Sequence, residues 1–428
     1  MEPLTIPRRD LLRLTAAGGT TWLTGVAGAL ARAEGDSPRE ERARSVILLW
    51  LAGGPSQLET FDPHPGTRIA GGTKAIDTAI RGVQLAKGLE QVAGRMESIS
   101  LVRSLVSKEG DHERGTYLVK TGYRPNPTVQ HPSIGAICCH RFDGLELDRG
   151  RIPNIGIPRH VSILTGPWPS RGGFLGAEYD AFKTGDPARK VPDVTPRVTG
   201  DRQRRRLEDL DVVERAFARG TSGAAERTRH RQTLAAARKM MAAEQLAAFD
   251  VLQEPSSVRD EYGDTPFGRG CLAARRLVAV GVRCVEVTLS GWDTHLNNHA
   301  GHQELLKPLD PALAALVRDL RRHGLLERTV VMCGGEFGRT PRINPANGRD
   351  HWPHGFTMAL AGGGLRGGQV IGATDPQGSK NVEQPRRVAD VHATVLTALG
   401  INPAEQLYTR QGRPVKLSDG KPIGSLLG

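Results

Sequence analysis

Residues 43–54, ARSVILLWLAGG, form a continuous apolar run that stops at a glycine pair. A strand that is apolar on both faces must be covered from both sides, as an interior strand of a parallel sheet is, and the turn leaving it is where such folds place function. Further strands are predicted at 97–105 (ESISLVRSL), 282–289 (VRCVEVTL) and 329–333 (TVVMC). TPFGRGCLAARRLVAVG at 265–281 has helical spacing and a glycine stop, and PALAALVRDLRRHGLLERTVVMC at 311–333 repeats the order helix, short turn, strand. This alternation predicts an α/β fold, a three-layer sandwich whose central, mostly parallel sheet is flanked by helices. At 428 residues the chain can bury such a core as one large domain, here 45–428, and no repeat of fixed period points elsewhere.

Other stretches read differently. Residues 201–254 are charged, alanine-rich and free of proline, which predicts a helical insertion of two amphipathic helices. The Pro- and Gly-rich segment 124–200 reads as irregular connections around the sheet. At the start of the chain, Arg8 and Arg9 precede a Gly- and Ala-rich apolar run that ends in ALARA at 29–33. The pattern predicts a twin-arginine signal peptide over 1–33 and a linker over 34–44, hence recognition by the twin-arginine export machinery and a periplasmic or secreted mature chain. No later run reaches 18 apolar residues, so no stable membrane span is expected. The five cysteines, Cys138, Cys139, Cys271, Cys284 and Cys333, lack C-x-x-C spacing, which speaks against a zinc ribbon or a disulfide framework.

The formal charge is +12, and removal of 1–33 leaves 54 basic against 44 acidic residues. A field of that sign favours anionic partners, such as a small-molecule or polysaccharide ester of phosphate or sulfate. Only 4% of residues are aromatic, and none of the motifs interleaves aromatic with basic residues, so nucleic acid is not the expected partner.

Three clusters carry the residue types that bind metal. GDHERGTYLVKTG at 110–122 holds His112 and Arg114. SGWDTHLNNHAGH at 290–302 holds Asp293, His295, His299 and His302 directly after a predicted strand. GGEFGRTPRINPANGRDHWPH at 334–354 holds Glu336, Arg339, Asp350, His351 and His354 after another. Carboxylate and imidazole arriving from several strand ends can surround a hard or borderline divalent ion such as zinc or manganese. His302, which opens the helical stretch HQELLKPL, reads instead as a surface or hydrogen-bonded residue.

The order of VILLWLAGG, DHERGTYLVKTG, WDTHLNNH, TVVMCGGEFG and HWPHGFTMALAGGGL, closed by the helical RRVADVHATVLTALGI, resembles the alkaline-phosphatase-like superfamily of phosphatases, sulfatases and cofactor-independent phosphoglycerate mutases. More closely, the paired arginines with GGPSQLETFDP, EFGRTP and GRDHWP resemble an exported bacterial family of unknown function. The superfamily resemblance implies an alkaline-phosphatase-like fold and a metal-dependent phosphate or sulfate ester hydrolase. It also shows departures. Gly53 stands where a metal-binding Asp is expected, with Gln57, Glu59 and Asp62 following. His112 stands at the nucleophile's place, and Glu336 with Phe337 replaces an Asp-His pair. No cysteine has the context from which a sulfatase makes its formylglycine.

What carries over is a divalent ion held by Asp293, by His295 or His299, and by His351 or His354. Glu336 would be a fourth ligand or general base. Arg114 and Arg339 would grip the anionic ester, since a guanidinium matches two oxygens at once. His112 would act as general acid, ligand or phosphorylated nucleophile. The rival expectation is a non-catalytic binding or envelope protein that retains the fold and part of the metal site.

Overall fold

The structure, a computed structural model, describes residues 44–142, 156–192, 194, 198–220, 237–241, 243–375, 377–378 and 380–428. The expected signal peptide, and all of the expected linker except Arg44, lie outside the described residues.

The first apolar run is strand β1, Ser45–Ala52, at the middle of a nine-stranded sheet. The other strands are β2 (Ile99–Val106), β3 (His160–Ile163), β4 (Phe182–Thr184), β5 (Cys284–Ser290), β6 (Thr329–Gly334), β7 (Phe356–Gly362), β8 (Val370–Ile371) and β9 (Arg386–Arg387). Their spatial order is β8, β2, β7, β6, β1, β5, β3, β4, with β9 also paired to β2. Leu49 of β1 pairs in parallel with Val287 of β5 on one side and with Cys333 of β6 on the other. Only β7 runs against its neighbours β2 and β6. It follows β6 through 335–355 without a crossover helix, and parallel pairing requires a crossover connection.

Alternation along β1 sorts its side chains into two cores. Ile47, Leu49 and Leu51 pack with helices α4 (Pro266–Ala279) and α5 (Asn298–Arg322). Val46, Leu48 and Trp50 pack with α1 (His112–Thr121), α2 (Ile134–Phe142) and α6 (Val388–Ala398). Helices thus cover both faces, the three-layer arrangement expected from the alternating elements. All five cysteines are buried free thiols.

Two helices depart from the sequence reading. Helix α5 begins well before Pro311 and runs through both Pro308 and Pro311. Each proline removes a helix hydrogen bond, but the buried row Leu306, Leu309, Leu313, Leu316 and Leu320 continues on both sides of them and offsets the cost. In the insertion, α3 (Gly200–Gly220) forms as expected, and 221–236 lie outside the described residues. The expected second helix is seen at 237–241 and then gives way to 3₁₀ turns at Glu244–Phe249 and Val251–Gln253. Among the described residues no helix is long and apolar enough to cross a membrane.

Candidate metal centre

Strands β1, β2, β5 and β6 share one direction, so their carboxyl ends open on the same edge of the sheet. That edge is where ligands bind in open α/β sheets. After β2 the chain enters α1, whose first residue is His112 and whose N-cap Asp111 accepts the Arg114 backbone N–H at 3.1 Å. Asp293 stands three residues past β5, and Glu336 two past β6. Residues Gly338–Arg339 pair antiparallel with His351–Trp352, which folds 335–355 back so that His351 comes beside Phe337 and Asp293.

The glycine pair after β1 has a steric origin. Gly53 has φ +118°, and a Cβ there would collide with the Asp293 backbone N; a Cβ at Gly54 would lie 2.6 Å from the Phe337 ring. An aspartate at position 53 is therefore incompatible with this close approach. The Gly53 backbone N–H donates instead to Glu336 Oε1 at 3.0 Å.

Three imidazoles surround Asp293. His112 pairs through Nδ1 with Glu336 Oε1 at 2.7 Å, and its buried Nε2 lies 3.2 Å from Asp293 Oδ2 without a well-directed hydrogen bond. His351 uses Nδ1 on the Gly110 carbonyl at 2.7 Å and sets Nε2 3.3 Å from Asp293 Oδ1. His295 uses Nδ1 on Asp350 Oδ1 at 3.1 Å and sets Nε2 3.1 Å from Asp293 Oδ1. The Nε2 atoms of His295 and His351 face each other at 3.0 Å. Each ring thus carries its proton on Nδ1 toward an oxygen acceptor and turns the other nitrogen inward, which is how metal-binding histidines are oriented. One ligand atom from each of His112, Asp293 and His351 lies within 4.8 Å of the others. The donor set of imidazoles and one carboxylate fits a divalent ion of the zinc or manganese type.

The charges agree with that use. Burial alone would raise the Asp293 carboxyl, but the Arg339 hydrogen bond and charge, with His351 and His112, bring it down to about 2. The hydrogen bond to Glu336 raises His112 against the effect of burial. Burial lowers His351, helped by the charge of Arg339. Asp293 is therefore an anion and His351 a neutral ligand over the physiological range.

The other expected site residues do not join this group. The His299 ring meets Thr73 Oγ1 at 3.2 Å and lines a separate cavity with Glu59 and Arg349. His354 is exposed and packs edge-on against Trp352. Arg114 donates to Glu109 at 2.6 Å and 3.3 Å. Arg339 needs correcting as a substrate grip. It is fully buried, and its guanidinium donates to Asp293 Oδ1 at 2.6 Å and to the carbonyls of Gly53, Gly54, Trp292 and Arg349. Buried beneath these turns it is out of a substrate's reach, and its work is to fix Asp293 and the surrounding turns. Gln57, Glu59 and Asp62 are likewise committed within the protein, to the Arg339 backbone, to Arg349 and to Arg103.

Sequence reasoning missed Asp350 as a support, the Gly110 carbonyl and Trp168, whose ring lies parallel to His112 with 6.3 Å between centroids. Asp350 stood beside His351 in the quoted motif. Trp168 sat in a Pro- and Gly-rich stretch that carries no periodic signal.

Comparison with known proteins gives a family. The model of a family described as "protein of unknown function (DUF1501)" matches residues 43–427. No curated protein matches. Solved structures similar to the chain include Ps i-CgsB, at 8% identity over 89% of this chain and 75% of that one, with a TM-score of 0.41. The zinc complex of the C-terminal periplasmic domain of EcEptC from Escherichia coli is 9% identical over 90% and 95% of the two chains, TM-score 0.39. A Vibrio parahaemolyticus protein is 10% identical over 90% and 71%, TM-score 0.38. This last protein is described as belonging to the alkaline phosphatase superfamily.

Proposed function

The chain belongs to the DUF1501 family of proteins of unknown function, and from its centre we propose that it is an exported, metal-dependent hydrolase of phosphate or sulfate esters. The observation that carries this is the convergence of three oriented imidazole nitrogens on one ionised carboxylate at the carboxyl ends of the strands. In this reading Asp293, His112, His295 and His351 hold the ion, while Glu336, Asp350 and the Gly110 carbonyl orient the rings. A divalent ion bound there supplies Lewis acidity toward the ester oxygens and lowers the pKa of water at the site.

The chain's own residues set the rest. His112 occupies the helix start where the resemblance places a nucleophile, and its Nδ1 is engaged by Glu336. We therefore assign attack to water, with no covalent intermediate on the chain. Arg339 keeps Asp293 ionised and in place. Export rests on Arg8, Arg9 and the apolar run after them.

The test is elemental analysis of the natively purified mature protein and of Asp293→Ala, with phosphate and sulfate monoesters assayed on both. One bound divalent ion and ester hydrolysis, both lost in the variant, support the hydrolase. A metal-free, inactive wild type overturns it in favour of a binding or envelope protein. Periplasmic recovery that is abolished when Arg8 and Arg9 are changed to Lys tests the export route.

A further inference from the structure

A cleft of about 390 Å³ lies beside this centre, within the size range of small-molecule sites. One wall is the face of α1 that carries Glu113, Thr116, Tyr117 and Lys120; the segment around Trp168 lies across from it. Trp168 borders both sites. Its indole runs parallel to the His112 imidazole, at 11°, and is 37% exposed.

Beneath, a buried ion pair holds this segment. Lys120 Nζ donates to Glu286 Oε1 on β5 and to the Trp168 carbonyl, both at 2.8 Å, and Ser170 Oγ donates to Glu286 Oε2 at 2.6 Å. A charge in the middle of an otherwise apolar strand is costly unless fully paired, and here the pairing fixes the backbone on which Trp168 stands. At the cleft, Thr116 Oγ1 is buried and has no hydrogen-bond partner.

These features select a ligand class. An exposed indole offers a flat apolar face, while the groups around it both donate and accept hydrogen bonds, which suits a ring with C–H faces and hydroxyl edges. Lys120 is neutralised by Glu286, and the lining carries Glu113 and Asp180 as well as Arg171, so the cleft has no cationic excess to hold a polyanion. An acyl chain would leave these polar groups without partners. We propose that the cleft takes the neutral, hydroxylated ring of a sugar whose single phosphate or sulfate ester reaches the metal centre, with Trp168 as its platform. The proposal rests on the hydrolase reading.

The experiment compares methyl phosphate and methyl sulfate, which lack a ring, with the 6-phosphates and 6-sulfates of glucose and galactose. These are assayed on wild type, Trp168→Ala and Trp168→Phe, with calorimetric binding of the free hexoses alongside. Trp168→Ala is expected to raise KM for the hexose esters about tenfold more than KM for the methyl esters, with Trp168→Phe recovering most of that difference. Equal loss on both ester sets, or no change on the hexose esters, overturns the platform role. If wild type hydrolyses none of the esters, the hydrolase reading fails, and calorimetry decides the cleft separately. Hexose binding abolished by Trp168→Ala supports the sugar assignment, and absent binding overturns it.

Discussion

His295 and His302 come from one short stretch of sequence, SGWDTHLNNHAGH, yet they do opposite things. His295 gives one nitrogen to Asp350 and turns the other to Asp293. His302 spends both on the protein, with Nδ1 on the Asn298 carbonyl at 2.9 Å and Nε2 accepting the Ser56 backbone N–H at 2.8 Å. The first ring has a nitrogen left for chemistry. The second is a fully buried bracket that ties α5 to the turn after β1. Position in the sequence set His302 aside from the ligands, and the fate of its second ring nitrogen is what separates it from His295.

That contrast is sharpened by paired substitutions. His302→Ala leaves a cavity and an orphaned Ser56 N–H, at a cost of about 3–5 kcal/mol, with metal content unchanged. His295→Ala is expected to do the reverse, lowering metal content while denaturant unfolding stays near wild type. If His302→Ala strips the metal, or His295→Ala unfolds the chain, the division between bracket and ligand is wrong.

Acidification probes the bracket set next. His302 is held down to about 4, first by burial and then by the charges of Arg339 and Arg349, against the pull of Glu59. His392, bonded through Nε2 to the Val119 carbonyl, is lowered by burial to about 4 as well. Each takes its proton more readily in the unfolded chain, whose histidines titrate near pH 6.5. Their stabilising contribution is thus complete above about pH 6.5 and is lost as pH falls toward 4, by about 3 kcal/mol each. Urea unfolding at steps between pH 7 and 4 should show the decline, and His392→Gln should flatten part of it.

A smaller effect is expected at the centre's supports. Glu336→Gln keeps the shape but weakens the acceptor for His112 Nδ1, and second-layer changes of this kind lower metal affinity about 10–100-fold. Competition with a chelator measures it. Unchanged affinity would mean that His112 is not a ligand.

The fold was legible because its signals are local: an apolar run stopping at a glycine pair, then helix and strand in alternation. Asp293 was legible as a metal-type residue because it follows a strand closely, and His351 because it stands in a cluster of carboxylate and imidazole residues. Long-range facts were not. Glu336 was expected as ligand or base, but whether it would meet an ion or an imidazole depends on how α1 docks against β6, residues 224 apart in the chain. Arg339 looked like a substrate grip until the turns after β1 and β5 closed over it and buried it. Trp168 had no periodicity to mark it, and Glu286, a lone carboxylate in an apolar strand, was the one overlooked local sign of a buried partner.

The smallest effect is expected at Arg114, which tests the comparison from outside the centre. Glu109 is 2% exposed, and its carboxyl is lowered first by the Arg114 hydrogen bond and then by Arg124, against burial. Two guanidinium groups therefore share one buried carboxylate. With Arg114→Ala, Glu109 keeps Arg124 and stays ionised, so neither stability nor metal content should move. Turnover should also hold, because Arg114 satisfies its charge on Glu109. A selective fall in kcat/KM for anionic esters, with metal content intact, would mean that Arg114 leaves Glu109 when substrate binds. The exposed guanidinium would then be the substrate grip that the buried Arg339 cannot provide.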